Sequence, residues 1–379
     1  MIIIALYVLF VVYIKISHPF WSKQPVHHLY QLNYLLKKGV IQKNLPKINK
    51  YCDNIHVHSK NYSDLSLEDK KQIGCLIQKN YLQDKDVKYI PTLKTIFSYF
   101  EGHTIRCIIS CYYEKEPQIK KQDVTYVNKI YGVITGRPIH FLNCKDKNEF
   151  KMYYIDFLCV DKQHRKKQIA PKLIQTHEYN ARRMNESIQV SFFKRETSLT
   201  LIKSFTYFDC YMFLNQFPII RLHEKYKYIK ITKKNFHIYI DFIRNQCRDS
   251  FDYFVSMDES SILKLISTNQ LLLYGVFEKC NMHHIYLFKN SDYYYNDALA
   301  LECIGSWNGN NSLLFKQHFF NILHKLNCSY IYIENVANND ILISSLQETQ
   351  SYIFKTVSAY YFYNYIHKQV SSNKSFIVI

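Results

Sequence analysis

The sequence predicts an α/β (α+β) protein built as two halves of like architecture, each a mixed, twisted sheet with flanking helices. Three observations lead there. Residues 104–193 read as three strands, a helix and a further strand. Residues 217–287 repeat a mixed strand and helix pattern, and a helix, a strand and another helix follow it. The 379 residues are 47% hydrophobic, 16% aromatic and 21% charged, which allows a large core and argues against extensive disorder.

The elements follow in order. Met1 to Ile14 is an uninterrupted apolar run, followed by Lys15. As a helix it spans about 21 Å, against about 30 Å of bilayer hydrocarbon. It has no basic leader and no small-residue cleavage site, so it does not read as a cleaved signal. The expectation is that residues 1–17 form a membrane anchor, spanning or shallow. Lys15 and the basic body would then lie on the cytoplasmic side. The competing expectation is a hydrophobic first helix or strand of the body. Residues 18–30 are aromatic and irregular around Pro19 and Pro25, and residues 40–63 read as loop.

Ser66–Asn80 fits a helix. Ser66 can cap it, Glu68 and Asp69 suit its positive end, and Ile73, Leu76 and Ile77 share a face. Pro91 opens a second helical pattern through Leu93, Ile96 and Phe97. Strands are expected at Thr104–Tyr112, Thr125–Thr135 and Phe150–Val160, then a helix at Ala170–Asn185 and a strand at Ile188–Phe193. Later come an amphipathic helix over 311–327, a strand at Tyr330–Glu334 and a short helix at Asn339–Glu348. Two strand candidates close the sequence. The last residues, Phe376-Ile-Val-Ile379, are apolar and suit a buried strand that carries its carboxylate inward, where it could act as a general base.

The formal net charge of +18 favours an anionic partner: nucleic acid, an acidic membrane surface or a phosphorylated small molecule. There is no zinc-finger spacing, basic-leucine repeat or Arg-rich tail, so no nucleic-acid partner is expected. The eleven cysteines are scattered singly, without ligand spacing. They read as reduced, mostly core residues, and no metal site is expected.

The chemistry lies in the middle of the chain. Tyr154-Ile-Asp-Phe-Leu-Cys-Val160 runs into the basic turn Asp161-Lys-Gln-His-Arg-Lys-Lys-Gln-Ile-Ala170, and Pro171-Lys-Leu-Ile174 opens a helix. Free backbone N–H groups at a helix start bind phosphate. Arg165, Lys166 and Lys167 add positive charge, and Ala170 is small enough for close approach. The bland alternative is an exposed basic loop before an ordinary helix. The turn resembles the coenzyme A pyrophosphate cradle of the acetyltransferase superfamily, Gln/Arg-x-x-Gly-x-Gly/Ala. It keeps the first and last positions of that pattern and lacks its central glycine.

A narrower resemblance rests on longer blocks. Phe157-Leu-Cys-Val160, Lys162, Arg165, Lys167, Ala170-Pro171 and Leu173-Ile174 match the corresponding segment of N-myristoyltransferases. Phe20-Trp-Ser-Lys-Gln-Pro-Val26 resembles that family's Phe-Trp-x-Thr-Gln-Pro-Val. Asn80-Tyr81 resembles the start of its Asn-Tyr-Val-Glu-Asp-Asp, and Tyr360–Tyr365 its Tyr-Tyr-Leu-Tyr-Asn-Trp. The resemblance covers about residues 18–379 and is weakest between about 193 and 350.

The resemblance implies two acetyltransferase-like (GNAT-like) halves related by a pseudo-two-fold axis. An acyl-CoA-binding half would cover 18–210 and a peptide-binding half 211–379. It implies a monomer with no permanently bound cofactor and no metal, using myristoyl-CoA as co-substrate. The acyl group would pass directly to the N-terminal glycine amine of a protein or peptide. The Ile379 carboxylate would be the base, and the amides of Phe157 and Leu158 the oxyanion hole. Coenzyme contacts would come from Phe20, Trp21, Phe157, Leu158, Cys159, Val160, Arg165, Lys166, Lys167, Gln168, Ile169, Ala170 and Pro171. Peptide contacts would come from Asn80, Tyr81, Asp84, Lys355 and Tyr360.

Several residues depart from the family pattern. The acidic run becomes Leu82-Gln-Asp-Lys-Asp86, and Lys355 replaces a substrate-facing aspartate. Asp156 replaces the asparagine before Phe-Leu, and Phe192-Phe-Lys-Arg195 replaces Tyr-Thr-Ala-Gly with loss of a hydroxyl. Two alternatives therefore stand beside the transferase reading. One is a catalytically impaired, membrane-tethered acyl-CoA-binding or scaffold protein of the same fold. The other is a different CoA-dependent N-acyltransferase.

Overall fold

One local pattern occurs twice in the computed structural model, which describes residues 2–82, 87–120, 123–196, 201–217, 219–220, 224–309 and 311–379. In the first copy, Ile108–Lys120, Asp123–Asn143 and Asn148–Ile155 form an antiparallel meander. The helix Ile169–Met184 follows, and Ser191–Glu196 returns parallel to Asn148–Ile155. In the second, Leu271–Glu278, Asn281–Tyr295 and Ala298–Asn308 form the meander. The helix Ser312–Leu323 follows, and Tyr330–Glu334 returns parallel to Ala298–Asn308.

The copies then exchange strands. Thr206–Leu214, which follows the first pattern, pairs with Tyr330–Glu334 of the second. Phe354–Tyr363, which follows the second, pairs with Ser191–Glu196 of the first. These two exchanged strands pair antiparallel with each other at the centre of one continuous sheet. The sheet order is therefore the same from either side of that centre, as a pseudo-two-fold relation requires. The edges obey it too. Val57–Asn61 covers the outer strand of the first copy and Tyr226–Ile231 that of the second. Val87–Tyr89 joins the end of Asn281–Tyr295, and Tyr253–Ser256 joins the end of Asp123–Asn143. Each half thus lends a short strand to the other half's longest strand. The expected division at residue 210 falls within the exchanged strand Thr206–Leu214.

Ser375–Val378 has no counterpart in this symmetry. It pairs parallel with Tyr253–Ser256, between the halves. Its alternation of faces is irrelevant because both faces are covered: Phe376, Ile377, Val378 and Ile379 all belong to the largest apolar core. Parallel strands buried on both faces read as continuous apolar runs, and Phe-Ile-Val-Ile is such a run.

The expected helices form where their caps are. Ser66 Oγ accepts from Asp69 N at 3.0 Å and starts Leu67–Asn80. Thr92 caps the short helix Leu93–Ser98. The expected strand Phe150–Val160 is broken: it runs as Asn148–Ile155 and resumes at Cys159–Val160. One strand lies where the sequence reads as loop. Val57–Asn61 lies within the expected loop 40–63, and its polar composition hides it as an edge strand.

The expected membrane anchor and membrane localisation do not hold. Residues Ile2–Ser17 do form a helix, but its 16 residues reach only about 24 Å, short of the roughly 30 Å needed. Among the described residues no helix is long and apolar enough to cross a membrane. The helix is instead tied to the body. Ile14 is buried, and Tyr7 Oη donates to the Tyr30 carbonyl at 2.6 Å.

Candidate active site

The break between Ile155 and Cys159 positions the site. Asp156 N donates to Thr135 O at 3.1 Å, and Phe157 N to Thr135 Oγ1 at 3.1 Å. Leu158 N turns back to Asp156 O at 2.9 Å. The Phe157 ring anchors this turn, buried against Tyr81 at 5.2 Å and Tyr89 at 6.4 Å between ring centroids. Burial raises both tyrosine hydroxyls well above the usual range, so they stay neutral. Both amides expected to form an oxyanion hole therefore already donate, Phe157 N to Thr135 on the neighbouring strand and Leu158 N within the turn. Leu158 is left half-exposed, on the rim of two cavities.

The first cavity, about 490 Å³, is the basic cradle. Leu158, Cys159, Val160, Arg165, Lys166, Gln168, Ile169, Ala170 and Pro171 line it, with Asn80, Tyr81 and His164. Lys167 is exposed outside this lining. Lys166 and Gln168 take positive φ, 66° and 62°, and Gln168 is the residue before the helix. Free N–H groups of the first helical turn thus face the cradle, where an anion is favoured. Arg165 is partly committed: its Nη2 donates to Asn80 O at 2.9 Å. Asn80, expected at the peptide, is buried and holds the cradle: its Oδ1 accepts from Lys162 N at 2.9 Å, and its Nδ2 donates to Leu76 O at 3.0 Å.

The second cavity, about 250 Å³, is largely apolar and lies beside the paired parallel strands Asn148–Ile155 and Ser191–Glu196. Trp21, Ile134, Ile155, Leu158, Ile174 and Phe193 supply most of its apolar wall. Trp21 stacks on Phe193 at 6.4 Å. Phe20 does not reach this wall and packs edge-on against Trp21 and Tyr51. Cradle and apolar cavity meet at Leu158.

The far end of the sequence reaches the same region. An Ile379 oxygen accepts from Lys289 Nζ at 3.5 Å. Lys289 lies 5.0 Å over the Tyr99 ring, and Arg137 lies 5.2 Å over the same ring. Arg137 is completely buried, 4.8 Å over Tyr154, and 3.6 Å from Asp156 Oδ2. A run of contacts therefore links Ile379 to the Phe157 turn. Burial lowers the Lys289 ammonium below its usual range, against the opposing pull of Glu302 and Asp156. Lys194 behaves in the opposite way. Burial disfavours its charge, but its ion pair with Glu334 outweighs this and holds it well above the usual range.

A third cavity, about 630 Å³, opens on the other side of Lys194. Leu82, Val87, Glu196, Tyr293, Glu302, Tyr332 and Phe354 are among its walls. Tyr360 is buried behind it, stacked on Phe192 at 5.1 Å. Lys355 points elsewhere, pairing with Asp209 at 2.8 Å. Asp84 lies outside the described residues, as does Lys85.

Sequence reasoning missed Arg137, Lys289 and the polar residues His177 and Glu178 of the apolar cavity. Each carries the same faint signal, a charged or polar residue within an otherwise apolar strand or helix face. Among the described residues no group of three or more His, Cys, Asp or Glu side chains could hold a metal ion.

Comparison with known proteins agrees with this geometry. The family profile described as Myristoyl-CoA:protein N-myristoyltransferase, N-terminal domain, matches residues 41–206. A glycylpeptide N-tetradecanoyltransferase of Plasmodium falciparum is 30% identical over 168 residues, 42% of this chain and 38% of that protein. The chain thus matches about two fifths of the length of this curated relative. Crystal structures of Saccharomyces cerevisiae N-myristoyltransferase with bound myristoyl-CoA share the fold. One has a TM-score of 0.70 at 14% identity over 94% of both chains. Another has 0.71 at 13% identity over 94% of this chain and 89% of that one. Residues 41–206 thus match the N-myristoyltransferase family in sequence, and nearly the whole chain shares the N-myristoyltransferase fold.

Proposed function

We propose that the chain is an acyl-CoA-dependent N-acyltransferase that moves a tetradecanoyl group from its coenzyme A thioester to the N-terminal glycine amine of a protein. One observation carries this reading: the phosphate-suited cradle and the apolar cavity meet at Leu158. A coenzyme in the cradle would deliver its thioester to that rim, with the acyl chain in the apolar cavity.

The glycine amine must lose a proton to attack. The Ile379 carboxylate is our candidate base, and Lys289 beside it favours its ionised form. The tetrahedral oxyanion needs preorganised donors. The amides of Phe157 and Leu158 are the candidates, and they must turn from Thr135 and Asp156 toward the acyl carbonyl when it binds. Peptide would enter by the cavity of Glu196, Glu302 and Tyr293. The attacking nitrogen forms its bond to the acyl carbon, the thiolate of coenzyme A leaves, and the base holds the amine proton. The division into a coenzyme-binding half and a peptide-binding half, about 18–210 and 211–379, belongs to this reading.

A second reading has its own support. Both oxyanion amides are engaged, and Phe193, Lys194 and Arg195 stand where the family carries Thr-Ala-Gly. A chain that binds acyl-CoA but transfers poorly fits those facts. Incubation of the full chain with radiolabelled tetradecanoyl-CoA and a glycine-start peptide library separates the two. Transfer to at least one peptide is expected, and tight coenzyme binding without transfer to any peptide favours the second reading.

A further inference from the structure

The apolar cavity has a polar floor. His177, on the helix Ile169–Met184, is 2% exposed, and its Nε2 has no hydrogen-bond partner. Its Nδ1 ends a chain of hydrogen bonds. Asn180 Nδ2 donates to Ser59 Oγ at 3.0 Å, and Ser59 Oγ is hydrogen-bonded to Ser110 Oγ at 2.7 Å. Ser110 Oγ is in turn hydrogen-bonded to His177 Nδ1 at 2.8 Å. Nε2 is the ring nitrogen left to meet a ligand, as donor in one tautomer and acceptor in the other. Burial lowers the imidazole to about 4, so the ring is neutral near pH 7. Gly136 keeps the space at this nitrogen open, because a Cβ there would stand 3.0 Å from Nε2. The neighbouring polar lining, Glu178, is already paired with Arg182 at 3.6 Å.

A buried ring nitrogen without a hydrogen-bond partner is costly, and a site with such a group discriminates against ligands that leave it unpaired. The lining residues Ile134, Ile155 and Ile174 offer it no polar partner. We propose that this cavity selects a fatty acyl chain carrying a hydroxyl group, which can accept from Nε2 or donate to it, at the depth of His177, over the plain saturated chain. The proposal rests on the acyl-CoA reading above and names the acyl class that this pocket prefers.

The test is calorimetric titration of the full chain with tetradecanoyl-CoA and with a positional series of hydroxytetradecanoyl-CoAs. One positional isomer is expected to bind about ten-fold or more tightly than the plain chain, with its positional neighbours weaker. His177→Leu should abolish that preference and bind the plain chain at least as well. His177→Gln, which keeps both a donor and an acceptor, should retain part of it. The proposal is overturned if no isomer exceeds the plain chain on the unaltered protein, or if the preference survives His177→Leu. If neither plain nor hydroxylated acyl-CoA binds the unaltered protein, the acyl-CoA reading fails and takes this proposal with it.

Discussion

Gln168 takes a left-handed backbone, φ 62°, at the position where the acetyltransferase turn carries its central glycine. The missing glycine is thus a matter of strain at a turn that still forms. A residue with a Cβ loses about 1–2 kcal/mol in this conformation, while glycine gives back roughly 0.5–1 kcal/mol through its freer unfolded chain. Gln168→Gly should therefore raise stability by about 0.5–1 kcal/mol in urea unfolding, with the slope unchanged. Asp156 is resolved in a similar way. Beside the Phe157 turn it is an added negative charge by sequence, and in the structure it faces the buried Arg137. Removing one member of a buried pair strands the other, at a cost of about 3 kcal/mol or more. Asp156→Asn should show that loss, and the double change Arg137→Met with Asp156→Asn should recover most of it. Contiguous residues such as Phe157–Val160 were legible because their pattern is local. Arg137, His177 and Lys289 were not, because each acquires its role only from partners on strands or helices distant in sequence.

The helix Ile169–Met184 is held from outside as well as by its own pattern. Asp53 N donates to Thr176 Oγ1 at 2.9 Å, and Lys172 pairs with the Asp53 carboxylate at 2.8 Å. Burial alone would raise the Asp53 carboxyl, but Lys172 and His56 outweigh it and hold it at about 2, against 3.8 unfolded. A depressed carboxyl contributes stability that is full above its unfolded value and lost as pH falls toward its folded value. Stability should therefore drop by about 2 kcal/mol between pH 4 and pH 2 through this group. Thermal unfolding across that window should show the drop, and Asp53→Asn should lack this part of it. Helices were the elements best read from sequence, since Ser66 and the apolar spacing of Leu67–Asn80 mark both start and face. Val57–Asn61 was hidden because an edge strand needs only one buried side, and the break at Asp156 because hydrogen bonds from Asp156 N and Phe157 N to Thr135 impose it.

Strand exchange makes the two halves one folding problem. Thr206–Leu214 and Phe354–Tyr363 each complete the other half's sheet, so neither half closes its sheet alone. The two tryptophans, Trp21 beside the apolar cavity and Trp307 in the second meander, report on opposite halves. Denaturant unfolding followed in Trp21→Phe and in Trp307→Phe should give coincident midpoints. Two separated transitions would mean that the halves unfold independently. The repeat itself was visible in sequence as strand, helix and strand order. The exchange was not, because it depends on which edges pair, and hydrophobic pattern does not encode that. The same central sheet also brings Ser375–Val378 between the halves and Ile379 to Lys289. The central claim is that the Ile379 carboxylate serves the thioester held at Leu158. Extending the chain by a few residues beyond Ile379 and measuring both tetradecanoyl-CoA affinity and transfer to a glycine-start peptide tests it most directly. The account predicts retained affinity with transfer lost, and undiminished transfer by the extended chain would contradict it.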